Sequence, residues 1–179
     1  AWGYVDGWSL TDRGARLARI YHEADLLIAE ALVQGALDGL GQAELAAAVS
    51  VFTYEARGPG EGSSGWFPTP RLRRRWSEIS QLGAELNAAE DDAGLPLTRP
   101  PDPGFATLAF AWAEGEDLGE VIAEEEMSGG DFVRNTKQLI DLLRQVGDTA
   151  PDPGTARTAR GAAETLMRGV VAASSVVTT

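Results

Sequence analysis

Arg134, Gln138, Asp141 and Gln145 follow one another at spacings of 4, 3 and 4. On a helix these positions form one stripe of hydrogen-bonding groups, with Lys137 and Arg144 flanking it. Such a stripe could touch successive nucleotides of a single strand, although taken alone it reads first as an ordinary solvated helix face. Arg71, Arg73, Arg74 and Arg75 crowd the start of another helix, where the positive end of the dipole disfavours cations by up to about 1 kcal/mol each. A phosphate-contacting or acid-docking patch would explain them, and so would local pairing with Glu78 and other carboxylates. The remaining search is negative. There is no cysteine and no H-E-x-x-H, G-x-S-x-G or G-x-x-x-x-G-K-[ST] string, so neither a catalytic residue nor a metal site is expected. The lone His22, between Tyr21 and Glu23 on a helix, reads as structural or solvent-facing. Glu124-Glu125-Glu126 and Glu90-Asp91-Asp92 read as solvated faces, because adjacent helix residues point apart. Trp76 and Trp112 fall on apolar seams and suit core packing better than base stacking.

The elements that position these residues are helical almost throughout. Tyr4-Val5 and Trp8-Ser9-Leu10 flank Asp6-Gly7, the signal of a short hairpin or extended lead-in. From Thr11 a helical period carries Leu17, Ile20, Ala24, Leu27 and Ala31, giving one long helix or two in line. Gly35 and Gly39-Leu40-Gly41 stop it, and a second helix runs to about Tyr54 with Leu45, Val49 and Phe52 as its apolar face. Residues 57–70, rich in Gly, Pro and Ser, form the main surface loop, pinned by Trp66 and Phe67. A helix from about Arg71 to Ala93 repeats Leu72, Trp76, Ile79, Gly83 and Leu86, and Gly94 ends it. Short helices follow around Phe105, Leu108, Ala109 and Trp112, then after the Asp117-x-x-Glu120 box. Ser128-x-x-Asp131 caps the helix bearing the polar stripe, whose inner face is Phe132, Thr136, Leu139 and Leu143. A last helix places Ala159, Ala163, Leu166, Val170 and Val177 near one face. The expectation is a single all-α domain over residues 1–179, a compact bundle of about seven helices with one dominant core.

The 179 residues carry 15 Lys plus Arg against 27 Asp plus Glu, a net charge of −12. That balance excludes a bulk basic surface holding nucleic acid by counterion release, so any RNA contact must be local. With 44% hydrophobic residues the chain can bury a real core. The absence of cysteine and of a long apolar run argues for a cytoplasmic address with no membrane partner. A first residue other than Met suggests a fragment.

The strings AELAAAVSVFTYEAR (43–57), AFAWAEGEDLGEVI (109–122), SGGDFVRNTKQLIDLLRQV (128–146) and RGVVAASSV (168–176) resemble, in order, the DSHCT domain. This is the C-terminal helical domain of exosome-associated DExH-box RNA helicases and of bacterial HelY-type helicases. The resemblance runs from about Leu10 to the C-terminus, and the opening SLTDRGARLARIYHEADLLIAEAL is most similar to the HelY-type branch. It implies a C-terminal accessory domain of an ATP-dependent RNA helicase, whose RecA-like motor domains lie elsewhere and hold the ATP and magnesium. The domain itself would then be no enzyme and would need no cofactor. The family's ratchet helix, which faces the single-stranded RNA exit path, falls on residues 128–146. Its pattern matches Gly130, Arg134, Lys137, Gln138, Leu139, Ile140 and Asp141. Gln138 stands where eukaryotic members have an RNA-contacting Arg, and Asp141 where they have a Glu. Glu55 matches a second region near the RNA, with Ala56 replacing one of two family acids. The implied RNA-binding set is therefore Arg134, Lys137, Gln138, Asp141, Gln145 and Glu55. Implied partners are the motor domains, RNA-degradation proteins, and single-stranded RNA held only weakly by this domain alone. The alternative is a protein-docking module that uses the acidic surface and the Arg71–Arg75 patch.

Overall fold

A computed structural model describes residues 2–56, 67–123 and 127–174. The expected loop at 57–70 lies mostly outside these residues, as do Trp66, Val177 and the run Glu124-Glu125-Glu126. Strands β1 (Val5–Asp6) and β2 (Ser9–Leu10) pair antiparallel, Val5 opposite Leu10. Gly7 takes φ +58 at the first loop position, which a two-residue hairpin needs and which side chains disfavour.

Nine α-helices follow among the described residues, two more than expected. One extra arises because the period through Leu17, Ile20 and Ala24 does not mark one rod. Helix α1 (Asp12–Leu17) ends, the chain turns, and α2 (Asp25–Val33) begins anew. The other is α9 (Gly169–Ala173). Gly169, at φ +50, redirects the chain after α8 (Pro153–Leu166). The expected face therefore stops at Leu166, with Val171 buried and Val170 exposed.

Helix α3 (Gln42–Thr53) is the centre of the bundle. It touches α5 (Ala106–Glu114), α8, α7 (Gly129–Thr149) and α4 (Pro70–Asp92). Leu45, Val49 and Phe52 are buried as expected, but so are Ala46, Ala47, Ala48 and Val51 on the other sides. A helix apolar all round belongs inside, and its alanines let neighbours approach closely. Helix α4 is started by Thr69, whose side chain accepts the Leu72 N–H at 3.0 Å, with Pro70 at its first position. Gly94 ends it at φ +65. Leu72, Ile79, Gly83 and Leu86 are buried, while Trp76 is half-buried against Phe67. A single 3-10 turn, Pro103–Phe105, leads into α5, and α6 spans Leu118–Ala123.

Helix α7 is capped by Ser128, whose hydroxyl accepts the Asp131 N–H at 3.1 Å. All four expected inner residues, Phe132, Thr136, Leu139 and Leu143, are buried. Phe132 meets Phe105 at 5.8 Å and Trp112 edge-on at 5.3 Å between ring centroids. Trp112 Nε1 donates to the Leu166 carbonyl at 3.0 Å. Arg168 stacks 3.5 Å over the Trp112 ring.

Candidate functional site

The core face of α7 fixes where its other side points. With Phe132, Leu139 and Leu143 turned inward, Arg134, Gln138 and Asp141 are exposed on a cleft of about 910 Å3. Four stretches distant in sequence wall it. Helix α7 supplies Arg134, Asn135, Gln138, Asp141, Leu142 and Gln145. The end of α3 and the residues after it supply Thr53, Glu55 and Ala56. Tyr21, His22 and Glu23 come from the turn before α2, and Arg99 from the segment before the 3-10 turn.

These walls are tied together. Arg99 Nε donates to Glu23 Oε1 at 2.9 Å, and its two terminal nitrogens donate to the carbonyls of Tyr54 and Phe52 at 2.6 and 2.8 Å. The end of α3 leaves carbonyls without helical partners, and its negative dipole end favours a guanidinium. The hydrogen bond from Arg99 holds the Glu23 carboxyl below its usual range. Gln145 Oε1 accepts the Tyr21 backbone N–H at 2.7 Å, fastening the turn to α7. Arg134 pairs with Asp131 at 2.9 Å, and Arg144 with Asp141 at 3.5 Å. Three carboxylates, Glu23, Glu55 and Asp141, therefore face two guanidiniums, Arg99 and Arg134.

His22 sits in this turn and not on a helix, contrary to expectation. Its Nδ1 accepts the Ala24 N–H at 3.0 Å, so the neutral ring carries its proton on Nε2. Burial lowers its pKa below 6.5; Glu23 opposes, Arg99 adds to the lowering, and Asp25 opposes. The folded ring is harder to protonate than the unfolded one. Its contribution to stability is complete above pH 6.5 and is lost as pH falls through the lower folded value. As the chain has one histidine, an NMR titration reads its imidazole directly. The expected midpoint lies below 6.5, and a midpoint at or above that value contradicts the burial described.

Five of the six residues implied by the resemblance line the cleft: Arg134, Gln138, Asp141, Gln145 and Glu55. Lys137 is half-buried and does not. Gln145 is partly committed, since its oxygen holds the Tyr21 backbone. The arginine patch divides. Arg71 reaches the Gly39 carbonyl and Glu44, and Arg75 reaches the Asp38 carbonyl and Glu78. These two fasten α4 to the α2–α3 connection, whereas Arg73 and Arg74 are exposed and make no ion pair among the described residues. Arg99, His22, Tyr21 and Asn135 were not singled out by sequence for the cleft. Only Asn135 left a signal, an amide inside an otherwise apolar arc of α7. Among the described residues, no group of three or more His, Asp or Glu side chains could hold a metal ion, and no helix is long and apolar enough to cross a membrane.

Fold and cleft together define an all-α domain with a polar cleft, without the sequence strings of a nucleotide-hydrolysing motor. The model of the DSHCT (NUC185) domain matches residues 7–174, and the chain belongs to that family. It is 45% identical over 180 residues to the probable helicase HelY of Mycobacterium leprae, covering 95% of this chain and 20% of that protein. To the probable helicase HelY of Mycobacterium tuberculosis (strain CDC 1551 / Oshkosh) it is 42% identical over 184 residues, covering 94% and 20%. The chain thus spans about a fifth of the length of these relatives.

Proposed function

We propose that this chain is the accessory domain of an ATP-dependent RNA helicase, and that its cleft forms part of the path of single-stranded RNA. One observation carries the reading. Glu55 and the stripe Arg134, Gln138 and Asp141, nearly eighty residues apart in sequence, line the same cleft. Both are regions that the family resemblance associates with the strand. RecA-like motor domains in the same protein would bind ATP and magnesium and perform the hydrolysis, and this domain would pack on them in the cytoplasm. Its own contribution is contact and geometry. A surface of mixed charge suits that duty, because a strongly basic wall would hold phosphates and resist sliding.

The docking-module reading, in which RNA-degradation proteins would be the partners, loses support from the arginine patch. Two of its four guanidiniums are engaged within the domain.

Replacing Gln138 and Asp141 together by alanine in the full-length protein tests the proposal. Both side chains are exposed, so folding should be unaffected. RNA unwinding and RNA-stimulated ATP hydrolysis should fall by about tenfold, the scale of losing one or two hydrogen bonds. Unchanged activity would overturn the RNA-path reading.

A further inference from the structure

Six polar or charged residues are buried among the described residues: Glu30, Ser50, Asn135, Thr136, Thr149 and Thr155. Five are satisfied internally. Ser50, Thr136 and Thr149 donate to backbone carbonyls, Thr155 to Asp38, and Glu30 accepts from Tyr4 and Arg13. Asn135 is the exception. It is 7% exposed, lines the cleft, and its side-chain amide makes no hydrogen bond. Among the described residues Arg13 Nε is the side-chain atom sealed from water without a partner. The Asn135 amide instead stays open to the cleft, where a ligand that enters must replace its water with hydrogen bonds of its own.

We infer that the inner part of the cleft around Asn135 is a subsite for one unstacked nucleobase, with Tyr21 as its stacking partner. The inference rests on the RNA-path reading and goes beyond it by assigning recognition to the base and not to the phosphate. Charge selects between the two. Arg99 is committed to Glu23 and two carbonyls, and Arg134 to Asp131. A phosphate entering here would meet Glu23, Glu55 and Asp141 beside two guanidiniums that already pair with carboxylates of their own. The groups left to bind are neutral: the Asn135 and Gln138 amides and the Nε2–H of His22. A nucleobase presents neighbouring donors and acceptors on its edge, which is what a carboxamide complements.

Tyr21 supplies the other half. It is 81% exposed, lines the same cleft, and is held by the bond from its backbone N–H to Gln145. An exposed ring on a fixed backbone is the kind of platform on which splayed bases of single-stranded RNA stack.

The test uses the full-length protein and single-stranded RNA carrying 4-thiouridine, with cross-linked residues mapped by mass spectrometry. The expected cross-link is at Tyr21. Asn135→Ala and Tyr21→Ala should each weaken binding of unmodified RNA by about fivefold in fluorescence anisotropy. Neither should weaken binding of a strand in which abasic spacers replace the bases lying in the cleft. Cross-links on α7 but none at Tyr21, or equal losses with the abasic strand, overturn the base subsite and leave the RNA path standing. No cross-link on any cleft residue overturns the RNA path and the subsite together. Should Asn135→Ala unfold, Tyr21→Ala decides, because its side chain is exposed.

Discussion

Phe132→Ala should destabilise the domain by about 3–5 kcal/mol, the range for removing a buried aromatic side chain. Phe132 is fully buried where α7 meets α5 and the 3-10 turn, with Phe105 and Trp112 as ring neighbours. Its loss leaves a void that Phe105 and Trp112 are poorly placed to fill. Phe105 is also stacked on Tyr54 at 5.8 Å, and Trp112 is anchored to Leu166 by its indole N–H. Both are held from their far sides and cannot simply collapse inward. Thermal unfolding followed by circular dichroism should show the midpoint falling by roughly 6–20 °C for a domain of this size. A shift of about 1 °C or less would mean that α7 is not anchored through this ring. Because α7 carries most of the cleft, the variant should also loosen the polar stripe, which a surface substitution such as Gln138→Ala should not do.

The second large effect belongs to Glu30. Its carboxylate is buried on α2 and accepts from the Tyr4 hydroxyl at 2.6 Å, Arg13 at 2.6 Å and Gln34 at 3.2 Å. It ties the hairpin and α1 to the body. Breaking a fully buried pair costs about 3–5 kcal/mol, but Arg13 is partly exposed and can be rehydrated, so Glu30→Ala should cost about 2–3 kcal/mol in urea unfolding. A loss within about 0.5 kcal/mol of zero would show the network to be dispensable. The same network gives an alkaline signature. Burial, then the hydrogen bond and the charge of Glu30, raise the pKa of Tyr4 above its usual 10.0. With the folded value raised, this contribution is complete below pH 10 and is lost as pH climbs beyond it. Tyr4→Phe, which cannot ionise, should flatten that part of the decline.

Helices α4 and α7 were legible in the sequence because their signals are local. Ser128-x-x-Asp131 marks the start of α7, Gly94 marks the stop of α4, and strict spacings of 3 and 4 mark their inner faces. Where periodicity runs on past the end of a helix, the sequence left one helix or two open, and the structure has two. Leu17, Ile20 and Ala24 keep a helical rhythm through a turn that is held by contacts from far away, including Gln145. Alanines blurred α3, since Ala46, Ala47 and Ala48 do not announce a face and yet all are buried. At the cleft, the stripe on α7 could be read from spacing alone. Arg99 could not, because its role follows from standing beside the end of α3 rather than from any neighbour in sequence. Asn135 could have been noticed as an amide among apolar positions, and that mismatch is now the most informative residue of the cleft.

The straps across the cleft, from Gln145 to Tyr21 and from Arg99 to Glu23 and the end of α3, close among the domain's own residues. Walls held in this way are preorganised. Whatever enters does not have to order them, which elsewhere costs about 0.5–1.5 kcal/mol for each side chain immobilised. Individual contacts can then be weak and still discriminate, because little of their free energy is spent on shaping the host. Differences between incoming groups should accordingly appear in how long each stays rather than in how quickly it arrives.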